Sequence, residues 1–141
     1  MKTKNNLPES IELKRQTLKE AKRFLANAKE TISKSPFSDT GKTYIDDKYT
    51  REGCGMAYLA AFRAIDGYLL GIGISKDELP QSIEHYERVL KTIPHNGKLK
   101  ENVKIVYQNL HLFGYYRGGT NVDMIKAGMK AVKDIISMFD T

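Results

Sequence analysis

Small residues recur along one line of the segment from Tyr44 to Gly73. They follow alternating spacings of four and three residues, at Gly53, Ala57, Ala60, Ala64, Gly67 and Gly71. Because these spacings match the turn of an α-helix, the positions form a stripe with almost no side-chain bulk. A neighbouring backbone can therefore approach this stripe closely. The pattern predicts a helix that packs tightly against a second helix.

Large apolar side chains repeat the same spacing one row over on this helix. They are Tyr58, Phe62, Ile65, Leu69 and Ile72, and the apolar surface continues through Cys54 and Ala61. A helix that is apolar on most sides is a buried one. We therefore expect helix two, about residues 46–73, to be the central element of an all-α bundle.

Apolar periodicity predicts a long first helix that pairs with helix two. It extends from about Pro8 to Ser33, and Ser35-Pro36 ends it. Its expected inner face is Ile11, Leu18, Ala21, Leu25, Ala28 and Ile32. Helix two begins near Asp46 or Asp47, whose carboxylates can cap free amide groups.

Three shorter helices are predicted in the second half of the chain. Helix three covers Pro80–Ile93, although Ser75 with Glu78 offers an earlier capping box. A turn at residues 94–97 opens helix four, whose inner stripe is Leu99, Val103, Val106, Leu110 and Phe113. A glycine pair at 118–119 ends it.

Thr120 with Asp123 is the predicted cap of helix five. The inner face of this helix is Val122, Ile125, Met129, Val132, Ile136 and Phe139. Five helices with short connections predict an up-and-down bundle. We expect a single domain over residues 1–141, with residues 1–7 flexible.

Positive charge is concentrated in the first helix. The net charge is +6, and residues 1–34 carry nine Lys or Arg against four Glu. The outer face of helix one presents Arg15, Lys19, Lys22, Arg23 and Lys29. Such a face suits RNA, DNA or an acidic protein, or it is only solvated. Both interpretations stay open.

Cysteine use and hydropathy predict a cytoplasmic protein. The single cysteine, Cys54, has no partner for an internal disulfide and lies in the apolar part of helix two. The first residues lack the apolar run of a signal peptide, and no stretch has the roughly 18 uncharged apolar residues of a membrane span.

The chain resembles the HEPN-type bundle of prokaryotic nucleotide-associated domains. The likeness rests on a long basic helix, a long central helix containing Gly53–Ala64, and three shorter helices. The start of helix two, Tyr44–Glu52, is also similar to that of an uncharacterised bacterial family of single-domain proteins. The first resemblance implies a homodimer and a nucleotide, RNA or nucleotidyltransferase partner.

Active HEPN ribonucleases carry an Arg, a polar residue and then a His four to six residues after the Arg. The matching position here is Arg117, which Gly118 follows, and no His comes after His111. A second pair, Arg88 and His95, has the spacing but straddles the end of helix three. We therefore expect a non-enzymatic module, with a degenerate ribonuclease as the alternative. No Cys or His set suggests a metal, and no cofactor is expected.

Arg63 and Asp66 form the first candidate ligand site. They lie three residues apart on the otherwise apolar helix two. Charges in such a place need partners. They belong either to a polar pocket or to a partly solvated pair within the helix.

Two further candidate sites lie near turns. Tyr44, Asp47 and Arg51 surround the start of helix two, where capping explains the acid without a ligand. Tyr115, Tyr116 and Arg117 precede the glycine pair. Aromatic rings beside an Arg can stack on and pair with a nucleotide, and amides before helix five can face a phosphate. The same rings can instead seal the end of a bundle.

Overall fold

Capping residues set where the helices begin. The computed structural model describes residues 6–140, and in that range the chain is an all-α bundle without a β-strand. The elements are α1 (Leu7–Ile32), α2 (Asp47–Gly71), α3 (Ile83–Leu90), α4 (Gly97–Ile105), a π-helical segment (Val106–Tyr116) that continues α4, and α5 (Val122–Phe139). The side chains of Asn6, Asp46, Ser82 and Asn121 cap α1, α2, α3 and α5.

The small-residue stripe of α2 lies against α1, as predicted. A Cβ added at Gly53 would clash with the Ile32 side chain and lie 3.0 Å from the carbonyl oxygen of Ala28. At the other end, a Cβ at Gly67 would lie 3.3 Å from Leu18. The order of these contacts makes the two helices antiparallel. At Gly53 the two backbones approach so closely that there is no room for a side chain between them.

The π-helical segment and α5 cover the other side of α2. Gly114 packs on Cys54, where an added Cβ would lie 3.0 Å from the Cβ of that cysteine. The rings of Tyr68 on α2 and Phe139 on α5 lie 5.0 Å apart. As predicted, α2 is therefore the central element, with thirteen buried residues along its length.

Several predictions about individual residues were wrong. Ile11 and Ile72 are exposed: Ser10 instead of Ile11 lies on the buried face of α1, and Ile72 follows the last residue of α2. Helix three is shorter than predicted, and the Ser75 to Glu78 hydrogen bond of 3.0 Å belongs to a separate 3-10 turn, Lys76–Glu78. The cap of α5 is Asn121 instead of Thr120.

The N-terminal residues bound the described part of the chain. Residues 1–5 of the predicted flexible segment lie outside the described residues, and Asn6 and Leu7 begin α1. The single-domain assignment stays a prediction. Within residues 6–140, none of the helices combines the length and the apolar character that crossing a bilayer requires.

Replacing Gly53 by Ala should destabilise the fold. The added methyl group must displace Ile32 and meets a backbone oxygen, so we expect a net loss of about 1–2 kcal/mol after the gain in helix propensity. Gly97→Ala is the control, because a Cβ there meets nothing within 4 Å. Urea unfolding followed by circular dichroism measures both; equal stabilities for the two variants would contradict the close packing.

Candidate functional site

Arg51 joins two of the predicted clusters. Its Nε donates to Oδ2 of Asp47 at 3.1 Å, and its Nη1 donates to the carbonyl oxygens of Tyr115 at 3.0 Å and Tyr116 at 3.3 Å. Carbonyl groups at the end of a helix have no hydrogen-bond donor within the helix, and the Arg51 guanidinium donates to two of them here. Gly118 has a φ of 69° and leaves room for the guanidinium, because any Cβ there would clash with it.

Backbone hydrogen bonds hold the same region together. Thr43 and Asn121 form an isolated β-bridge, and the amide of Tyr44 donates to the carbonyl of Thr120 at 2.9 Å. The loop before α2 is therefore fixed to the loop before α5. We call the resulting surface the Arg51 corner, comprising Asp47, Arg51, Tyr115, Tyr116 and Arg117.

The Arg51 corner presents two aromatic rings and a guanidinium group to solvent. Tyr115 is 49% exposed and Tyr116 is 70% exposed, and Arg117 is exposed beside them. The ring of Tyr115 lies over Gly55, where a Cβ would come within 3.1 Å of its Cδ1. The Tyr115 ring thus packs on α2 with one face, while the Tyr116 ring is open to solvent.

The amides before α5 already have protein partners. Gly119 donates to the carbonyl of Phe113 at 2.7 Å, Val122 to that of Lys42 at 2.9 Å, and Met124 to Oδ1 of Asn121 at 2.9 Å. These groups therefore do not form the phosphate cradle that the sequence suggested. The exposed cation of this corner is Arg117.

A ladder of aromatic rings extends from the corner along the groove between α2 and the π-helical segment. His111 stacks on Tyr58 with ring centroids 4.6 Å apart, and it faces Tyr107 at 5.4 Å and Tyr115 at 6.1 Å. Tyr58 continues to Phe62 at 4.8 Å. Burial, with smaller effects from Tyr107 and Glu84, raises the pKa of Tyr58 to about 12.

Sequence reasoning left His111 without a role, although a signal was present. Tyr107, His111 and Tyr115 are each four residues apart. In a helix this spacing places the side chains on one face. The signal was therefore available, although the π-helical form of the segment was not predicted.

Arg63 and Asp66 lie at the far end of the ladder in a four-residue network. Arg63 donates to Asp66 at 3.1 Å and to Glu20 of α1 at 2.9 Å, while the Tyr86 hydroxyl donates to Asp66 at 2.8 Å. Asp66 is 5% exposed. The pair lies within one helix, as one interpretation held, but its carboxylate is buried and ties α2 to α3.

Burial dominates the electrostatics of this network. It raises the pKa of Asp66, although the hydrogen bond from Tyr86 and the charge of Arg63 act in the opposite direction. Burial also raises the pKa of Tyr86, and the charge of Asp66 adds to it. For Arg63, burial lowers the pKa, but Glu20 and Asp66 outweigh it and the pKa is raised. The four groups form one hydrogen-bonded network that joins α1, α2 and α3.

Tyr44 does not share a site with Arg51. Its side chain is buried, stacks on Phe37 with centroids 5.2 Å apart, and lines a cavity of about 330 Å³ between α1 and α5. Burial raises the pKa of its hydroxyl, and Cys54 contributes. The predicted cluster at the start of helix two is thus divided between two surfaces.

The predicted basic face of helix one is exposed throughout. Its residues are Arg15, Lys19, Lys22, Arg23 and Lys29. Two of the five have acidic partners, since Arg15 pairs with Glu12 and Lys22 pairs with Asp140 of the chain's C-terminal end. Across residues 6–140, His, Cys, Asp and Glu do not gather in threes that could hold a metal.

Comparison with known proteins identifies the family. The model of a family described as a domain of unknown function, DUF5618, matches residues 16–141. The chain belongs to this family. The matched range includes the whole Arg51 corner, the aromatic ladder and the Asp66 network.

A solved structure supports the fold of this DUF5618 domain. It is a protein of unknown function from Dyadobacter fermentans, with a TM-score of 0.75 and 27% sequence identity. The likeness covers 89% of this chain and 94% of that one. No curated protein matches the sequence. Ligand binding by any of the candidate residues stays a prediction.

Asp66→Ala should strongly destabilise the DUF5618 domain. It leaves the Arg63 charge and the Tyr86 hydroxyl without their buried acceptor, so we expect a loss of about 3 kcal/mol. Asp134→Ala is the control, because it removes an exposed pair with Lys130 and should cost less than about 0.5 kcal/mol. Thermal and urea unfolding measure both; an unchanged melting temperature for Asp66→Ala would rule out the buried network.

Proposed function

We propose that this DUF5618 domain is a non-enzymatic binding module that recognises a nucleotide or a nucleotide-bearing partner at the Arg51 corner. The observation that carries the proposal is a pair of exposed tyrosine rings on an anchored stretch of backbone beside Arg117. Arg51 holds the carbonyls of both tyrosines, so the backbone under the rings is ordered before any ligand arrives. Preorganisation of this kind lowers the cost of binding.

The chemistry of the corner matches one base and one phosphate group. A base can stack on an exposed tyrosine ring, and such stacking is worth about 1–3 kcal/mol per base. The Arg117 guanidinium has no side-chain partner among residues 6–140 and is suited to bidentate pairing with a phosphate. Asp123, exposed in the first turn of α5, opposes a larger anionic group. A nucleoside monophosphate or an RNA end therefore fits better than a triphosphate.

Titration of isotope-labelled protein with the four ribonucleoside monophosphates tests this function. We expect NMR shift changes at residues 114–119 and at the Arg117 side chain. Arg117→Ala and Tyr116→Ala should each weaken binding about tenfold or more, because each removes a ligand contact without touching the Arg51 hydrogen bonds to backbone carbonyls.

Arg23→Ala is the matched control for Arg117→Ala. It removes the same charge from the exposed face of α1, far along the chain from the corner, and should leave the affinity unchanged. The absence of shifts at the corner with all four nucleotides at millimolar concentration would contradict the proposal.

The HEPN-like kinship and the homodimer are part of the same proposal. The order of two long and three shorter helices supports the kinship. Exposed apolar side chains near the corner, Leu59 and Tyr116, support a second copy of the chain as a neighbour. A nucleotidyltransferase as partner follows from the resemblance alone. Sedimentation equilibrium over a range of concentrations tests the dimer.

A degenerate ribonuclease is the second candidate function. One observation favours it: His111 stacks beside Tyr115, which places a titratable ring next to the corner that carries Arg117. The order is reversed relative to the HEPN motif, since this His precedes the Arg by six residues. Cleavage of mixed RNA that both Arg117→Ala and His111→Gln abolish would replace the non-enzymatic proposal with this one.

A further inference from the structure

Three adjoining cavities form one groove between α1 and α5. Their volumes are about 320, 300 and 330 Å³. The first two share Lys22 and Asp140, which form an ion pair, and the second and third share Lys29, so the three cavities adjoin one another. On α1 the lining extends from Ile11 to Ser33, which corresponds to roughly 33 Å of helix. We call this surface the α1–α5 groove.

The floor of the α1–α5 groove is apolar. It is made by Leu18, Leu25, Ile32, Ile125, Met129 and Ile136. Each end carries a partly exposed apolar side chain: Ile11 is 58% exposed, and Phe37, which stacks on Tyr44, is 53% exposed. Two such side chains at opposite ends of one groove offer separate anchor points for a long apolar surface.

The rim of the groove is cationic on both sides. The lysines are Lys14, Lys19, Lys22 and Lys29 on α1, and Lys126 and Lys133 on α5. Asp140 is the one acidic residue in the lining of the three cavities, and it pairs with Lys22 at 2.5 Å. Arg15 is also in the lining and pairs with Glu12. The groove therefore has a strong excess of positive charge above an apolar base.

We infer that the α1–α5 groove binds an acidic amphipathic helix of a protein partner. Such a helix places its apolar stripe on the floor and its Asp and Glu side chains between the two rows of lysines. Helices docked in grooves are recognised in this way, by apolar anchors spaced along one face. Long lysine side chains reach outward along apolar surface and keep their charge at the rim, where carboxylates meet them.

The shape and chemistry of the groove favour a helix over the other polyanions. A nucleic acid would satisfy the lysines but would leave the apolar floor and both exposed anchors uncovered. A membrane is flat or gently curved, and its headgroups would meet the rim without reaching the floor. The inference goes beyond the proposed function, because the groove and the Arg51 corner share no residue.

The test uses a labelled peptide of about 20 residues that presents leucines on one helical face and glutamates elsewhere. Fluorescence anisotropy should detect binding to the full chain. The variant Lys29→Glu with Lys133→Glu reverses one charge on each side of the groove, and we expect it to weaken binding at least tenfold. Both positions are exposed, so the fold should survive.

A matched control separates the groove from general attraction to a basic protein. Lys76→Glu with Lys98→Glu makes the same change in net charge at exposed positions outside the groove. It should change the affinity less than twofold. Phe37→Ser should also weaken binding of the peptide. The loss of affinity should be the same from about 0.1 to about 0.5 M NaCl, because salt does not screen an apolar contact.

Each remaining outcome overturns the inference. The first such outcome is that the peptide does not bind. The second is that both double variants lose affinity equally, which would show that the attraction is not specific to the groove. The third is that a mixed RNA of matched length, or anionic vesicles, bind more tightly than the peptide and lose affinity only in the groove variant. The groove would then bind a different polyanion. A negative result with the peptide would not contradict the proposed nucleotide site, because the groove and the Arg51 corner share no residue.

Discussion

The close approach of α1 and α2 is the interaction on which the other features depend. Glycine and alanine along one stripe of α2 let α1 lie almost backbone to backbone, so α2 becomes the centre of the bundle. With that face filled, the large side chains of α2 can pack only on the opposite side, against the π-helical segment, α3 and α5. The aromatic ladder lies on that opposite side, and the Asp66 network joins it to Glu20 of α1.

The two proposed surfaces follow from the same arrangement. At one end of the bundle, α2 brings Arg51 to the last carbonyls of the π-helical segment, and this contact anchors the backbone that carries Tyr115 and Tyr116. Between α1 and α5, three adjoining cavities form the groove. One helix thus contributes Arg51 to the corner that we propose as a nucleotide site, and its partner helix provides one wall of the basic groove.

Much of the fold could be predicted from the sequence, because periodicity and capping are local signals. The bounds of α1 and α2 and the inner face of α5 follow directly from spacing. Ile11 and Ile72 could not be placed correctly, since apolar character alone does not show which residue of a turn faces the neighbouring helix or where α2 ends. The candidate site was harder: Arg51 and Tyr115 are 64 residues apart, and nothing in either segment indicates their contact. The spacing of Tyr107, His111 and Tyr115 did indicate a shared face, but the partner ring on α2, Tyr58, could not be read from it.

The most direct test of the close α1–α2 approach is a set of nuclear Overhauser effects in isotope-labelled protein. The account predicts strong cross-peaks between the α-protons of Gly53 and the side chain of Ile32, and between the α-protons of Gly67 and the methyl groups of Leu18. Gly97, which has no such neighbour, provides the negative reference. Absence of both cross-peaks would show that the small-residue stripe does not face α1, and the account would be wrong.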